Sequence, residues 1–110
     1  MLVRLLDAPQ NEDDWNSWSF AHRQNHDVIR QAIQAKGGPN LPQAVLDPIP
    51  LFAFRDWLER NQRSHNDQNG ALGLQSTDLL DLDPRNQQQL SDWVYAHYIE
   101  HQNMNLVLGI

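Results

Sequence analysis

The chain has 110 residues, no cysteine, and a net charge of -6 from 8 Lys and Arg against 14 Asp and Glu. That length suits one compact domain spanning 1–110, and the missing thiols exclude a disulfide framework, Cys-ligated zinc or iron–sulfur, and thiol catalysis. Lys36 is the single lysine and the arginines are scattered, so the surface repels phosphate, and neither nucleic acid nor an anionic membrane is an expected partner. No apolar run approaches the roughly 20 residues of a membrane-spanning helix, and Met1-Leu-Val-Arg-Leu-Leu is too short for a secretion signal, which predicts a soluble protein that is cytosolic at birth.

In chain order, three helices and no convincing strand are predicted. The first runs from about 12 to 35: Asn11 can cap it, Glu12, Asp13 and Asp14 put negative charge in its first turn, and Gly37-Gly38-Pro39 stops it. The second is expected from 48 to about 66, with Asp47 as N-cap and Pro48 at the first helical position, ended by Asn69-Gly70. The third is expected from 84 to about 103, with Asp83 and Pro84 in the same two roles. Ser76 to Leu80 can form one short turn. Leu72-Gly73-Leu74 and Leu106 to Ile110 read as apolar hooks that tuck back onto a core. The fold class is all-α, a small three-helix domain.

An internal repeat of about 36 residues organises these elements. Leu46-Asp47-Pro48 aligns with Leu82-Asp83-Pro84, Asp56-Trp57 with Asp92-Trp93, His65 with His101, Asn69 with Asn105, and Leu72-Gly73-Leu74 with Leu108-Gly109-Ile110. Trp18, His22 and His26 provide the same Trp-x3-His-x3-His spacing in a degenerate first copy, so the units are approximately 6–38, 46–74 and 82–110. A period in this range is typical of a helical supersecondary unit.

Helical spacing then places an unusual set of residues on the inward faces. Trp15, Trp18, His22, His26, Ile29 and Ile33 share one face of the first helix; Phe54, Trp57, Asn61 and His65 one face of the second; Leu90, Trp93, His97, His101, Asn105 and Leu108 one face of the third. Trp18, Trp57 and Trp93 hold equivalent positions and read as core anchors, not as an exposed carbohydrate platform. The row His22, His26, Asn61, His65, Asn69, His97, His101 and Asn105 continues the Trp stripe, and burying such groups costs several kcal/mol unless each finds a partner.

Three explanations compete for that row. It can be a structural hydrogen-bond network that fixes register, with no cofactor. It can hold a metal, since His22/His26 and His97/His101 have i, i+4 spacing, and parallel helices would bring His26, His65 and His101 together. It can serve acid/base chemistry with Asp27, Asp67 or Glu100, although Glu100 and His101 are adjacent in sequence and point about 100° apart on a helix. No His-Glu-x-x-His, phosphate loop, nucleophile elbow or paired catalytic carboxylates occur, so the structural network is the expected role and the chain is expected not to be an enzyme.

The pattern Asp-Trp-x3-His-x3-His-x3-Asn-x2-Leu-Gly-Ile at Asp92 to Ile110 resembles the ending of small proteins from tailed-bacteriophage morphogenesis clusters, and the likeness extends through Trp57 to Leu74 and Trp18-x3-His22-x3-His26. The resemblance implies a virion structural component of the head–tail connection, tail or capsid, packed against copies of itself and other virion proteins. The 22 Asn and Gln residues suit wet, hydrogen-bonded subunit contacts, and Gly37 to Pro42 reads as an arm that orders against a neighbour.

Overall fold

The computed structural model describes residues 9–46, 53–77 and 82–110. They form α1 (Glu12–Ala35), α2 (Phe54–Ala71) and α3 (Gln87–Leu108), with no strand among the described residues. The domain is all-α, as the sequence implies. None of these helices is long and apolar enough to cross a membrane.

The helix starts follow capping chemistry, with two corrections to the expected boundaries. Asn11 caps α1, its side chain accepting from the Asp14 N–H at 2.8 Å. The N-cap of α3 is Asn86, which accepts from the Gln89 N–H, and not Asp83. Asp83 instead opens the preceding turn: its carboxylate accepts from the Arg85 N–H and its carbonyl from the Asn86 N–H. Asp followed by Pro at the next position is a favoured type I turn pair, so the Leu-Asp-Pro sequence makes a turn, and the helix begins beyond it. In α2 the cap position belongs to Ala53, with no side-chain bond, so Asp47 does not cap this helix. Asp47 itself, with Pro48 and Pro50, lies outside the described residues, as do 78–80 of the expected Ser76–Leu80 turn.

The helix ends share one device. Gly38 N–H donates to Ile33 O, Leu74 N–H to Asn69 O and Ile110 N–H to Asn105 O, at 2.9, 2.8 and 3.0 Å. Each closure is preceded by a glycine at positive φ, Gly37, Gly73 and Gly109, which only glycine adopts cheaply. Consequently α2 and α3 each run about five residues beyond their expected ends. Leu106 to Leu108 is helix, not a hook; Leu108 is buried, while Leu106, Val107 and Ile110 are exposed.

Three layers of side chains stack along the bundle. Trp18, Phe54, Leu58, Trp57, Leu90, Trp93 and Val94 fill the layer near the helix starts, joined by Leu46 from the connecting segment. Ile29, Ile33, Met104 and Leu108 fill the layer near the helix ends, covered by Ala71, Leu72 and Leu74. Because the starts of all three helices meet in one layer and their ends in the other, the helices run parallel. Residues 36–53 and 72–86 must each return the length of the bundle. At about 1.5 Å per helical residue and 3.3 Å per extended residue, both stretches are long enough to do so. The result is a narrow domain of 40 × 24 × 22 Å.

The tryptophans set the geometry of the first layer. Ring centroids of Trp18, Trp57 and Trp93 stand 5.9, 5.6 and 6.0 Å apart with interplanar angles of 55°, 48° and 59°. That is a near-equilateral propeller with one blade from each helix. Trp15 stacks on the outer face of Trp18 at 5.4 Å. Trp18, Trp57 and Trp93, the expected anchors, are all buried. Trp57 is fully buried, so Trp57→Ala is expected to destabilise the fold by about 3–5 kcal/mol, measured by urea denaturation followed by far-ultraviolet circular dichroism.

Candidate metal centre

Between the two apolar layers, α1 contributes His22 and His26, α2 contributes His65, and α3 contributes His97 and His101. All five rings are buried. One nitrogen from each lies within 4.8 Å of one from every other. The i, i+4 spacing puts two imidazoles of one helix on the same face, and the parallel arrangement brings the three faces to the same level. The expected trio His26, His65 and His101 does converge, and His22 and His97 join it.

The inward atoms are the Nε2 nitrogens. His22 and His26 approach at 3.0 Å through them, as do His65 and His97, while His97 and His101 approach at 3.1 Å. The outward Nδ1 atoms have partners whose orientation is fixed independently. Gln68 donates its amide to the His26 carbonyl, which turns Gln68 Oε1 toward His26 Nδ1 at 3.0 Å; Ser64 Oγ is equally close. Asn105 donates to the His101 carbonyl and accepts from Asn25, which turns Asn25 Oδ1 to His101 Nδ1 at 2.6 Å. Glu100 Oε1 accepts from His65 Nδ1 at 3.0 Å. An oxygen acceptor on Nδ1 requires the proton there. His26, His65 and His101 therefore carry Nδ1–H, and His26 and His101, whose charging burial disfavours, turn bare Nε2 lone pairs to the centre.

Hydrogen bonding alone does not satisfy this centre. His22 can donate Nε2–H to His26, and His97 can donate to His65 or to His101 but not to both. One inner lone pair then still faces another ring with no hydrogen between them. The Nδ1 atoms of His22 and His97, meanwhile, have no hydrogen-bond partner among the described residues. Stacking holds these two rings instead: Trp18 lies on His22 at 4.8 Å and Trp93 on His97 at 4.7 Å, with interplanar angles of 11° and 12°.

Electrostatics oppose charge on four of the five rings. Burial pushes His22, His26, His97 and His101 well below the usual imidazole range, and the neighbouring histidines push them in the same direction. Glu100 is the nearby anion. Burial raises its carboxyl, but the bond and charge from His65, the Thr77 N–H and the Asn69 amide outweigh this and hold it below its ordinary value. Its oxygens accept from His65 and Asn69 on one side and from Thr77 at 3.1 Å on the other. Ser76 also touches this network, receiving a bond from Asn69. The segment after α2 thus folds over the seam between α2 and α3 and holds the carboxylate in place.

Several of these partners are invisible to sequence spacing. Glu100 is directed not at its neighbour His101 but across the bundle at His65. Asn25, Ser64 and Gln68 lie on flanks that sequence patterning assigns no role. Asn69 and Asn105, expected in the central row, sit in the surrounding shell and bond Glu100 and Asn25. Asn61 does face the centre. A surface groove of about 220 Å³ between Leu41–Val45 and α2 reaches Ser64 and Gln68, one side chain away from His26.

No family model, curated protein or solved structure matches the chain. The site therefore has to be read from its own chemistry. Five imidazoles converging through Nε2, three of them oriented by oxygen acceptors on the far nitrogen, form a donor set suited to zinc, copper, iron or nickel.

A pH response follows from the depressed histidines in chelator-treated protein. In the unfolded chain each has an ordinary pKa of about 6.5, and in the fold it is lower, so the unfolded state binds more protons as pH falls. The histidines' contribution is fully present above pH 7 and is expected to be lost progressively below about 6.5. Urea denaturation midpoints from pH 8 to pH 5 measure it, and a flat profile would contradict the buried neutral cluster.

Proposed function

We propose that this protein is a metal-binding helical protein whose core closes on one transition-metal ion through His22, His26, His65, His97 and His101. The observation that carries this reading is the convergence of five inward Nε2 atoms with too few protons to bond one another. A cation removes the conflict by accepting every lone pair at once. Imidazole nitrogens bind such ions at about 2.0–2.1 Å, so neighbouring donors on one ion stand roughly 3 Å apart, and the closest approaches here are 3.0, 3.0 and 3.1 Å. The ligands are neutral and Glu100 is the nearby anion, which favours a divalent ion over a trivalent one. Tryptophans cover one side of the cluster and aliphatic side chains the other, so the ion's first role is to clamp three helices that local sequence does not hold parallel.

Native mass spectrometry and elemental analysis of protein purified without chelator test this. One equivalent of metal, lost to a strong chelator together with a fall in Tm, is the expected result. Glu100→Gln keeps the shape but removes the anion that orients His65, and it is expected to weaken metal affinity by about 10–100-fold in a competition titration. Protein with no metal under any loading condition would overturn the reading.

A second reading concerns where the domain works. The likeness of Asp92–Ile110 to phage morphogenesis proteins supports a non-enzymatic virion component that packs against its own copies and other virion proteins. The apolar end of α3 favours it, because Leu106 is 70% exposed and Val107 and Ile110 are each 53% exposed. Sedimentation over a range of concentrations is expected to show an oligomer that Leu106→Lys with Val107→Glu disperses. A monomer throughout, with no copies in purified particles, would count against it.

A further inference from the structure

We propose that the ion held by the five histidines keeps a sixth coordination position opposite His101, faced by Asn61 and open to a small ligand of the size of water or azide. This rests on the metal reading above and adds what that site can bind.

The ring positions give the coordination figure. Around the cluster, His22–His26, His26–His65, His65–His97 and His97–His22 are separated by 4.5, 4.9, 4.7 and 4.6 Å between centroids. The diagonal His22–His65 is 6.4 Å, in the proportion of a square, and His26–His97 is the pair without a ring contact among the described residues. His101 lies near all four, at 5.1, 4.6, 4.8 and 4.4 Å from His22, His26, His65 and His97. Four rings thus form a base and the fifth an apex. A square pyramid is an octahedron with one vertex unfilled, and that vertex lies opposite His101.

The same vertex follows from the helices. Three parallel helices, each presenting residues four and eight positions after its tryptophan, set two triangles one above the other. His26, His65 and His101 form the lower one. In the upper one, α1 offers His22 and α3 offers His97, while α2 offers Asn61, four residues before His65 and four after Trp57. Two such staggered triangles are an octahedron in which His22 stands opposite His65, His26 opposite His97, and Asn61 opposite His101. The two histidine pairings are those the ring distances show.

Asn61 itself supplies the independent observation. Its side chain is fully buried, and neither its oxygen nor its nitrogen makes a hydrogen bond of regular geometry among the described residues. Its amide still acts on both His22 and His26, which places it beside the cluster. Two orphaned polar atoms in a core are costly, and a ligand at the sixth position would satisfy them. Asparagine ends one bond closer to its backbone than the histidine Nε2. It therefore stops short of the point where the five nitrogens meet and leaves room for a small molecule that its NH2 group can hydrogen-bond.

The test is azide titration of protein loaded with cobalt(II), followed by visible absorption at equilibrium and with cobalt measured in every sample. In the wild-type chain azide is expected to shift the cobalt spectrum. Asn61→His supplies the sixth imidazole and is expected to keep one equivalent of cobalt while losing the azide response. Asn61→Ala keeps the open position but removes the hydrogen bond, and about tenfold weaker azide binding is expected; it carries the test if Asn61→His does not fold. Cobalt-loaded wild-type protein that ignores azide would overturn the open position. Azide binding unchanged by both substitutions would overturn the placement of Asn61. Wild-type protein that takes up no cobalt is a separate failure, which removes the metal centre and this position with it.

Discussion

Five imidazole rings buried at one level of a narrow bundle impose a demand that the surrounding residues meet in layers. Each ring needs a partner for its outer nitrogen, and the inner nitrogens need something positive or protonated between them. Gln68, Ser64, Asn25 and Glu100 meet the first demand for three rings, and stacking by Trp18 and Trp93 fixes the planes of the other two. The rings do not meet the inner demand among themselves, because with Nδ1 protons on His26, His65 and His101 neutral rings have at most two hydrogens for three remaining lone pairs. A divalent ion is the simplest species that satisfies all of them without charging a buried ring.

The parallel course of the helices follows from the same constraint. Antiparallel neighbours would be joined by short loops and would set the tryptophan end of one helix against the Ile29/Ile33 end of another. Here residues 36–53 and 72–86 lie between successive helices, and tryptophan meets tryptophan and histidine meets histidine. The connecting segments also contribute to the core: Leu46 is fully buried and its carbonyl receives the Trp57 indole N–H, while Ser76 and Thr77 close over Glu100. Long returns cost chain entropy, which the matched layers offset by giving each buried polar ring a neighbour of its own kind.

A closed centre of this sort separates two roles that one metal can play. The flanking layers would shield a bound ion from bulky substrates. Asn61 departs from that closure. It breaks the near-threefold set of six positions at one point, and the broken point is the place where a small molecule could meet the ion.

Much of this molecule is legible one helix at a time. Spacing of three and four residues put Trp18, His22 and His26 on one face, and Trp57, Asn61 and His65 on another. Asn11 with its acidic first turn marked the start of α1, and Gly37 marked its stop. The true start of α3 was hidden because Asp83-Pro84 is as good an opening for a turn as for a helix. Periodicity tells which face is buried but not which neighbour that face meets or in which direction the neighbour runs. So the union of His22 and His97 with the expected trio, the reach of Glu100 across to His65, and the orphaned amide of Asn61 were decided by tertiary structure alone: each is a contact between helices, and no helix encodes its partner's position.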